Sequence, residues 1–361
     1  MLTEDIPMYN FKIKSIVHDY GVQFIDDTQG VLLKELKEGD VIIIDNKIKE
    51  LYKDLLQPVL DLYWHIGIDA SEKVKSYQGV MPIIESLIDN GFRKNHRLIA
   101  IGGGITQDAT AFIASIMYRG VDWYFFPTSL LAQGDSCIGS KTSINFNQYK
   151  NQLGGFYPPN QIFINLEFLD TLSLWDLKSG MGEMCHYFIV SGEEDFTRFK
   201  NEYAQALTDK KVLAGIINRS LEIKKGYIER DEFDKNERLV FNYGHSFGHA
   251  IESLTNYRIP HGIAVSYGMD MANFVSVKLG YIDNSVRQNI RELLKQVWEG
   301  TSITDISLDK FTVALSKDKK NVGKTLGLIL NKGYGKIFKD LRPMDEQFVG
   351  WLNEYFTNEL N

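Results

Sequence analysis

The chain has 361 residues, 44% hydrophobic and 24% charged, with 47 acidic against 40 basic side chains and a formal net charge of −7. That is the composition of an ordinary globular protein long enough for two domains, and its acidic balance speaks against a nucleic-acid binder, which normally presents a basic face. Two cysteines, Cys137 and Cys185, give no disulfide framework; the acidic start lacks a signal-peptide core, and no run reaches the ~20 apolar residues of a membrane span, so a cytoplasmic protein with no membrane partner is expected.

The β-branched run at 41–45 predicts a short buried strand. Residues 48–60 and 79–90 have helical spacing, the second stopped by Gly91. A second buried strand over 97–101 runs directly into Gly102, Gly103 and Gly104, and a helix is expected over 108–117. Strands at 123–126, ended by Pro127, and at 161–165 follow, with a glycine-rich connection between them that carries Lys141, Lys150 and Asn151. This alternation predicts an α/β domain of Rossmann-like type with a largely parallel sheet over 1–172. Beyond it, 174–190, 195–206, 211–229, 245–254, 263–279 and 285–298 all have helical periodicity, which predicts a mostly α-helical domain over 173–361.

Three features carry chemistry. The strand–Gly102-Gly103-Gly104–helix segment fits a phosphate cradle, because glycine admits close backbone approach and a helix N-terminus supplies amide donors; it fits a plain tight turn as well. Asp45, at the end of the first strand, suits a ribose hydroxyl or equally a helix cap. Lys141, Lys150, Arg119, Lys224, Arg238 and the run Lys317-Asp318-Lys319-Lys320 set cations into an acidic protein, which suggests an anionic ligand. Most distinctive are the histidines: three of seven, His245, His249 and His261, fall within seventeen residues. His245 and His249 share a helix face, His261 follows a turn, and Glu183 can complete a Glu/His/His set of the kind that holds a catalytic metal.

Taken in order, these segments resemble the 3-dehydroquinate synthase family and the wider sugar phosphate cyclases. The resemblance runs from Glu72-Lys73-Val74-Lys75 through Gly102 to Asp108, Tyr118-Arg119-Gly120, Pro127 to Ala132 and Asp135 to Lys141. It continues through Lys150-Asn151, Phe168 to Leu172, Gly180 to Glu183, Asp231 to Asp234, Arg238, Asn242 to Ala250, His261-Gly262 and Asp318 to Lys320. It implies that Glu183, His245 and His261 bind zinc, or cobalt in its place. NAD would lie across Glu72, Lys75, Gly104, Asp108, Thr128, Ser129, Lys141, Lys150, Asp170 and Thr171, with Gly102, Gly103 and Ile105 in the same loop and Asp45 beside it. Substrate phosphate would meet Lys141, Asn151, Asn242, His249 and Lys319 or Lys320. Lys224 and Arg238 would hold its carboxylate, and Asp135 and Asp234 its hydroxyls. Arg119 would reach in from a second subunit, implying a homodimer. The implied reaction converts a phosphorylated sugar acid, 3-deoxy-D-arabino-heptulosonate 7-phosphate, to 3-dehydroquinate by transient oxidation, phosphate elimination, reduction and an intramolecular aldol.

The chain also departs from the family pattern. His186 stands where the family has lysine, Gln107 and Ser140 replace glycines, Asp234 replaces glutamate, Ser129 replaces threonine, and Ile263 follows His261-Gly262 where a glutamate is usual. These changes keep open a cyclase acting on another sugar phosphate, a metal-dependent polyol dehydrogenase, and a non-catalytic NAD-binding relative.

Overall fold

The computed structural model describes residues 6–147, 149–317 and 325–360. In chain order the elements are β1 (Asn10–Ile13), β2 (Tyr20–Phe24), α1 (Thr28–Glu35), β3 (Val41–Asp45), α2 (Asn46–Leu51), α3 (Lys53–Leu60), β4 (His65–Ile68), α4 (Tyr77–Asp89), β5 (Leu98–Gly102), α5 (Gly104–Ile116), β6 (Trp123–Pro127), β7 (Lys141–Phe146), β8 (Tyr149–Phe156) and β9 (Gln161–Ile164). Then follow α6 (Leu174–Ser191), α7 (Glu193–Ala206), α8 (Lys210–Ile228), α9 (His245–Leu254), α10 (His261–Lys278), α11 (Asn284–Trp298), α12 (Leu308–Ser316), β10 (Thr325–Asn331), β11 (Ile337–Pro343) and α13 (Glu346–Asn358). Among the described residues no helix is long and apolar enough to cross a membrane.

Two compact units result: Met1–Leu172 with Lys210–Phe233, and Ser173–Asp209 with Asp234–Asn361. One boundary between the units falls at Leu172, and α8, expected in the helical half, clusters with the α/β unit. Its Ser220 hydroxyl donates to the Gly134 carbonyl at 2.8 Å, and its buried Lys224 donates to the Asp135 carbonyl and carboxylate at 2.7 and 2.6 Å. Helical periodicity shows that a segment has an apolar face and says nothing about which core receives it.

The first unit is built on a seven-stranded sheet in the order β1-β2-β9-β6-β5-β3-β4, parallel except where β1 meets β2. Ile42, Ile44, Ile99, Ile101, Phe126 and Phe163 from its central strands pack with Leu56 and Val59 of α3 in one core. Strands buried on both faces need near-continuous apolar runs, and these sequences supply them. The chain order reverses between β3 and β5, and in such sheets ligands bind beyond the strand ends at the reversal. Asp45 and Gly102 end those two strands. Two local differences matter. The helix expected from 108 begins at Gly104, so the glycine segment runs from the end of β5 through the cap into the helix. The connection expected between 134 and 151 contains a hairpin, β7–β8. It escapes notice because most of β8 is exposed and polar, without an apolar face to mark a strand.

The second unit packs α6, α9, α11 and α13 around α10, in which all residues from Gly262 to Ser276 are buried. At its heart is a charged cluster. Asp270 is 0% exposed and accepts from Arg287 at 3.0 and 3.1 Å and from the Tyr355 hydroxyl at 2.8 Å. Arg291 lies 3.0 Å from the same carboxylate, and Glu359 binds both guanidinium groups.

Candidate metal centre and nucleotide loop

Three helices of the second unit bring Glu183, His245 and His261 together. Glu183 sits midway along α6, His245 begins α9 and His261 begins α10. Close backbone approach makes this possible: a Cβ on Gly262 would lie 1.8 Å from the Ser179 carbonyl oxygen and 2.8 Å from the Glu183 nitrogen. The Gly262 amide donates to the Ser179 hydroxyl at 3.0 Å. Gly262→Ala must therefore push α10 away from α6 beside two of the three groups. A loss of ~1–3 kcal/mol from overpacking is expected in urea unfolding, together with weaker cobalt binding in a spectroscopic titration.

The geometry suits a cation. His245 Nε2 is 3.3 Å from Glu183 Oε1, and His261 Nε2 is 3.4 Å from Glu183 Oε2. Ligands held about 2.1 Å from a tetrahedral metal stand roughly 3.4 Å apart, so each imidazole stands at ligand spacing from one oxygen of the carboxylate. Glu183 is 4% exposed, and its Oε2 accepts no hydrogen bond from the described residues. Burial opposes ionisation of this carboxyl, but His245 and His261 outweigh it and hold Glu183 well below the usual carboxylate range. Both imidazoles are oriented from behind. His245 Nδ1 faces the Tyr243 carbonyl at 3.3 Å, and His261 Nδ1 faces Glu252 Oε2 at 2.9 Å, leaving each Nε2 towards Glu183. Such outer partners fix the tautomer that donates a lone pair. Glu252 has no assigned role in the sequence reading. Its nine-residue offset from His261 crosses a helix end and a turn, so only the folded chain pairs them.

His249 is exposed, with its ring stacked 5.8 Å from that of His261. His249, Glu252 and His261 form a second group whose ligand atoms lie within 4.8 Å of one another, sharing His261 with the first. His186 is buried, with its ring 3.9 Å from that of Tyr187 and its Nδ1 3.9 Å from Glu183 Oε1, so this departure stands against the candidate acid. Arg238 is buried in the turn Glu237–Asn242, where the Asn242 amide donates to the Leu239 carbonyl at 3.2 Å. Asp234 takes a left-handed φ of 55°. Lys319 and Lys320 lie outside the described residues.

The first unit gathers most of the residues expected to meet the cofactor. α5 begins at the glycine segment with Gly103 as its cap and no capping side chain. A Cβ on Gly103 would meet the Ser129 hydroxyl at 3.4 Å and one on Gly104 that of Ser136 at 3.8 Å, so two hydroxyl side chains stand beside the loop. The first-turn amides, Ile105 among them, and the helix dipole favour an anion there. Thr128 is buried, and its amide donates to the Gly102 carbonyl at 3.0 Å. Nearby, Lys75 pairs with Asp108 at 2.5 Å and Lys150 with Glu72 at 2.7 Å. Asp45 caps α2, accepting from the Lys47 amide at 2.9 Å, so the capping alternative is realised. Asp170 pairs with Lys210 at 2.6 Å, and Thr171 meets the Tyr52 hydroxyl at 3.1 Å.

Lys141 opens β7 on the surface, and Asn151 lies in β8. Arg119 is exposed, and with Tyr118 it holds a left-handed backbone at φ 66° and 50°. Non-glycine residues adopt that region at a cost, and observed strain of this kind gathers at functional surfaces. The two replaced glycines are both accommodated. Gln107 exchanges hydrogen bonds with Ser136 at 2.6 and 2.7 Å, and Ser140 takes φ 66° with its hydroxyl 3.3 Å from Glu232 Oε1.

A family model described as 3-dehydroquinate synthase N-terminal matches residues 65–179, and one described as 3-dehydroquinate synthase C-terminal matches residues 180–321. The 3-dehydroquinate synthase of Dictyoglomus turgidum is 37% identical over 305 residues, spanning 82% of this chain and 84% of that one. That of Alkaliphilus metalliredigens is 33% identical over 310 residues, spanning 85% and 87%. A structure of 2-deoxy-scyllo-inosose synthase complexed with carbaglucose-6-phosphate, NAD+ and Co2+ superposes with a TM-score of 0.84 at 23% identity, covering 96% of this chain and 99% of that one. A structure of 2-epi-5-epi-valiolone synthase from Streptomyces hygroscopicus subsp. jinggangensis with NAD+ and Zn2+ bound gives 0.84 at 21%, covering 94% and 97%; at such identities these likenesses speak to fold alone. With both family models matched across residues 65–321 and relatives above 30% identity over most of its length, this chain belongs to the 3-dehydroquinate synthase family.

Proposed function

We propose that this chain is an NAD- and divalent-metal-dependent carbon–oxygen lyase that converts 3-deoxy-D-arabino-heptulosonate 7-phosphate to 3-dehydroquinate and phosphate. The observation that carries the reading is the convergence of Glu183, His245 and His261, with Glu252 behind, in a chain of this family. When bound, the cation supplies Lewis acidity and NAD a reversible hydride acceptor, so a secondary alcohol can be oxidised and restored around phosphate loss.

The chain's own residues do the rest. In the second unit, Glu183, His245 and His261 offer one carboxylate and two imidazole donors, a set suited to zinc or cobalt. Arg238 offers a buried guanidinium for a carboxylate, and Asn242 and His249 offer groups for phosphate. Asp234, beside them in sequence, suits a hydroxyl. In the first unit, the α5 amides receive the pyrophosphate, while Glu72, Lys75, Asp108, Thr128, Ser129, Lys150, Asp170 and Thr171 fix the rest of the nucleotide. Lys141 and Asn151 receive the substrate phosphate. Lys224, buried and held 2.6 Å from Asp135, is a cation kept in one place by its partner. Such fixed groups stabilise charge without reorganising when it develops. Arg119, exposed on a strained turn, is suited to reaching a second copy of the chain in a cytoplasmic homodimer.

The test is direct. Protein loaded with zinc or cobalt and given NAD and the heptulosonate phosphate is expected to release phosphate stoichiometrically without accumulating NADH. Phosphate released only from sedoheptulose 7-phosphate or glucose 6-phosphate assigns a different cyclase. Steady NADH production from a simple diol makes the protein a dehydrogenase.

A further inference from the structure

The side chain of Asn145 has no part in the reading above, yet it joins the segments that carry the nucleotide-side charges. Asn145 lies near the end of β7 and is 4% exposed. Its Nδ2 donates to Glu72 Oε2 at 2.6 Å and to the Glu72 carbonyl at 3.2 Å. Its Oδ1 accepts from the Asn151 amide at 3.0 Å, and its own amide donates to the Lys75 carbonyl at 2.9 Å. Ser76 forms a parallel bridge with the same residue. One buried amide thus ties the loop carrying Glu72 and Lys75 to both strands of the β7–β8 hairpin. Asn151 needs such a tie, because it holds a left-handed φ of 54°. Both ion pairs of the cluster, Lys150–Glu72 and Lys75–Asp108, hang from residues of this loop.

We propose that Asn145 is the positioning residue of the nucleotide side, its amide setting where Glu72 and Asn151 stand and thereby how tightly NAD is held. The inference rests on the reading of Glu72, Lys75 and Lys150 as NAD contacts. The chemistry demands asparagine: one end must donate to a carboxylate while the other accepts from an amide. Alanine does neither. Aspartate still accepts from Asn151 but sets a second carboxylate against Glu72, and that conflict is relieved if residue 72 becomes a donor, as in Glu72→Gln.

The experiment uses the full chain, with hydrogen exchange on the nucleotide-free protein and calorimetric titration with NAD. Asn145→Ala is expected to speed exchange across 71–76 and 145–151 while leaving α6 and α10 unaltered, and to raise the Kd for NAD ~10-fold or more, as fits loss of hydrogen bonds to a charged group. Activity is expected to fall through the KM for NAD more than through kcat. Asn145→Asp is expected to weaken NAD binding in the native background and to do so much less when Glu72→Gln is also present. Unchanged exchange in 71–76, or an Asn145→Asp penalty equal in both backgrounds, overturns the proposal. Absence of NAD binding to the unaltered protein overturns the cofactor reading and with it the affinity half of this inference, while the exchange data judge the tie by itself.

Discussion

Glu183→Gln is expected to yield a folded protein that no longer retains zinc through gel filtration and has lost phosphate-releasing activity. The amide keeps the volume of the carboxylate on α6, so the packing of the three helices is preserved. What disappears is the negative charge of the carboxylate whose Oε1 and Oε2 face His245 and His261 at 3.3 and 3.4 Å. A divalent ion taken from water needs that charge as well as the two neutral nitrogens. Glu252→Gln gives the graded control. Its carboxylate reaches the cation only through His261 Nδ1, so ~10–100-fold weaker metal binding is expected, as for other outer partners. Metal content by atomic absorption and activity at saturating zinc check both variants. Comparable losses in the two, or retained zinc in Glu183→Gln, would remove Glu183 from the inner set.

Asp270→Ala is expected to have the largest effect on stability, about 3–5 kcal/mol in urea unfolding. Asp270 is the central acid between Arg287 and Arg291, which are 1% and 6% exposed, and it also accepts from Tyr355. Removing it leaves buried guanidinium groups with only Glu359 and opens a cavity in α10. Desolvating a cation is costly, so loss of one partner hurts more than the pair contributes. Because α10 begins at His261, the variant is also expected to bind metal less tightly at temperatures where the wild type is intact. Asp270→Asn keeps the shape and two acceptor lone pairs, and a smaller loss is expected from it. Equal stability of Asp270→Ala and the wild type would show that Glu359 alone suffices.

Much of the architecture is legible in the amino acids. The central strands are short apolar runs, the glycine triplet follows one of them, and the helical half announces itself by period. The proposed metal triad is legible because histidine is rare in this chain and its clustering is therefore informative. Other features leave no local trace. The outer strand of the β7–β8 hairpin, β8, is mostly exposed and largely polar, so its sequence resembles a loop until it pairs with β7. The start of α5 at Gly104 runs against glycine's low helix propensity and is permitted by the strand that feeds it. Glu252 and Asn145 look like ordinary helix and loop residues until partners distant in sequence arrive beside them.

The sequence by itself determined the fold class, the α/β-then-helical order and the acid and imidazoles proposed to hold a metal, because apolar period, glycine placement and donor chemistry are properties of the residues themselves. Only the tertiary structure decided that α8 joins the first unit, that Asp45 caps a helix, that Glu252 orients His261 and that Asn145 ties the nucleotide loop. Each of these depends on a hydrogen bond or packing contact whose partner the backbone's course selects, and no local pattern of side chains encodes that choice.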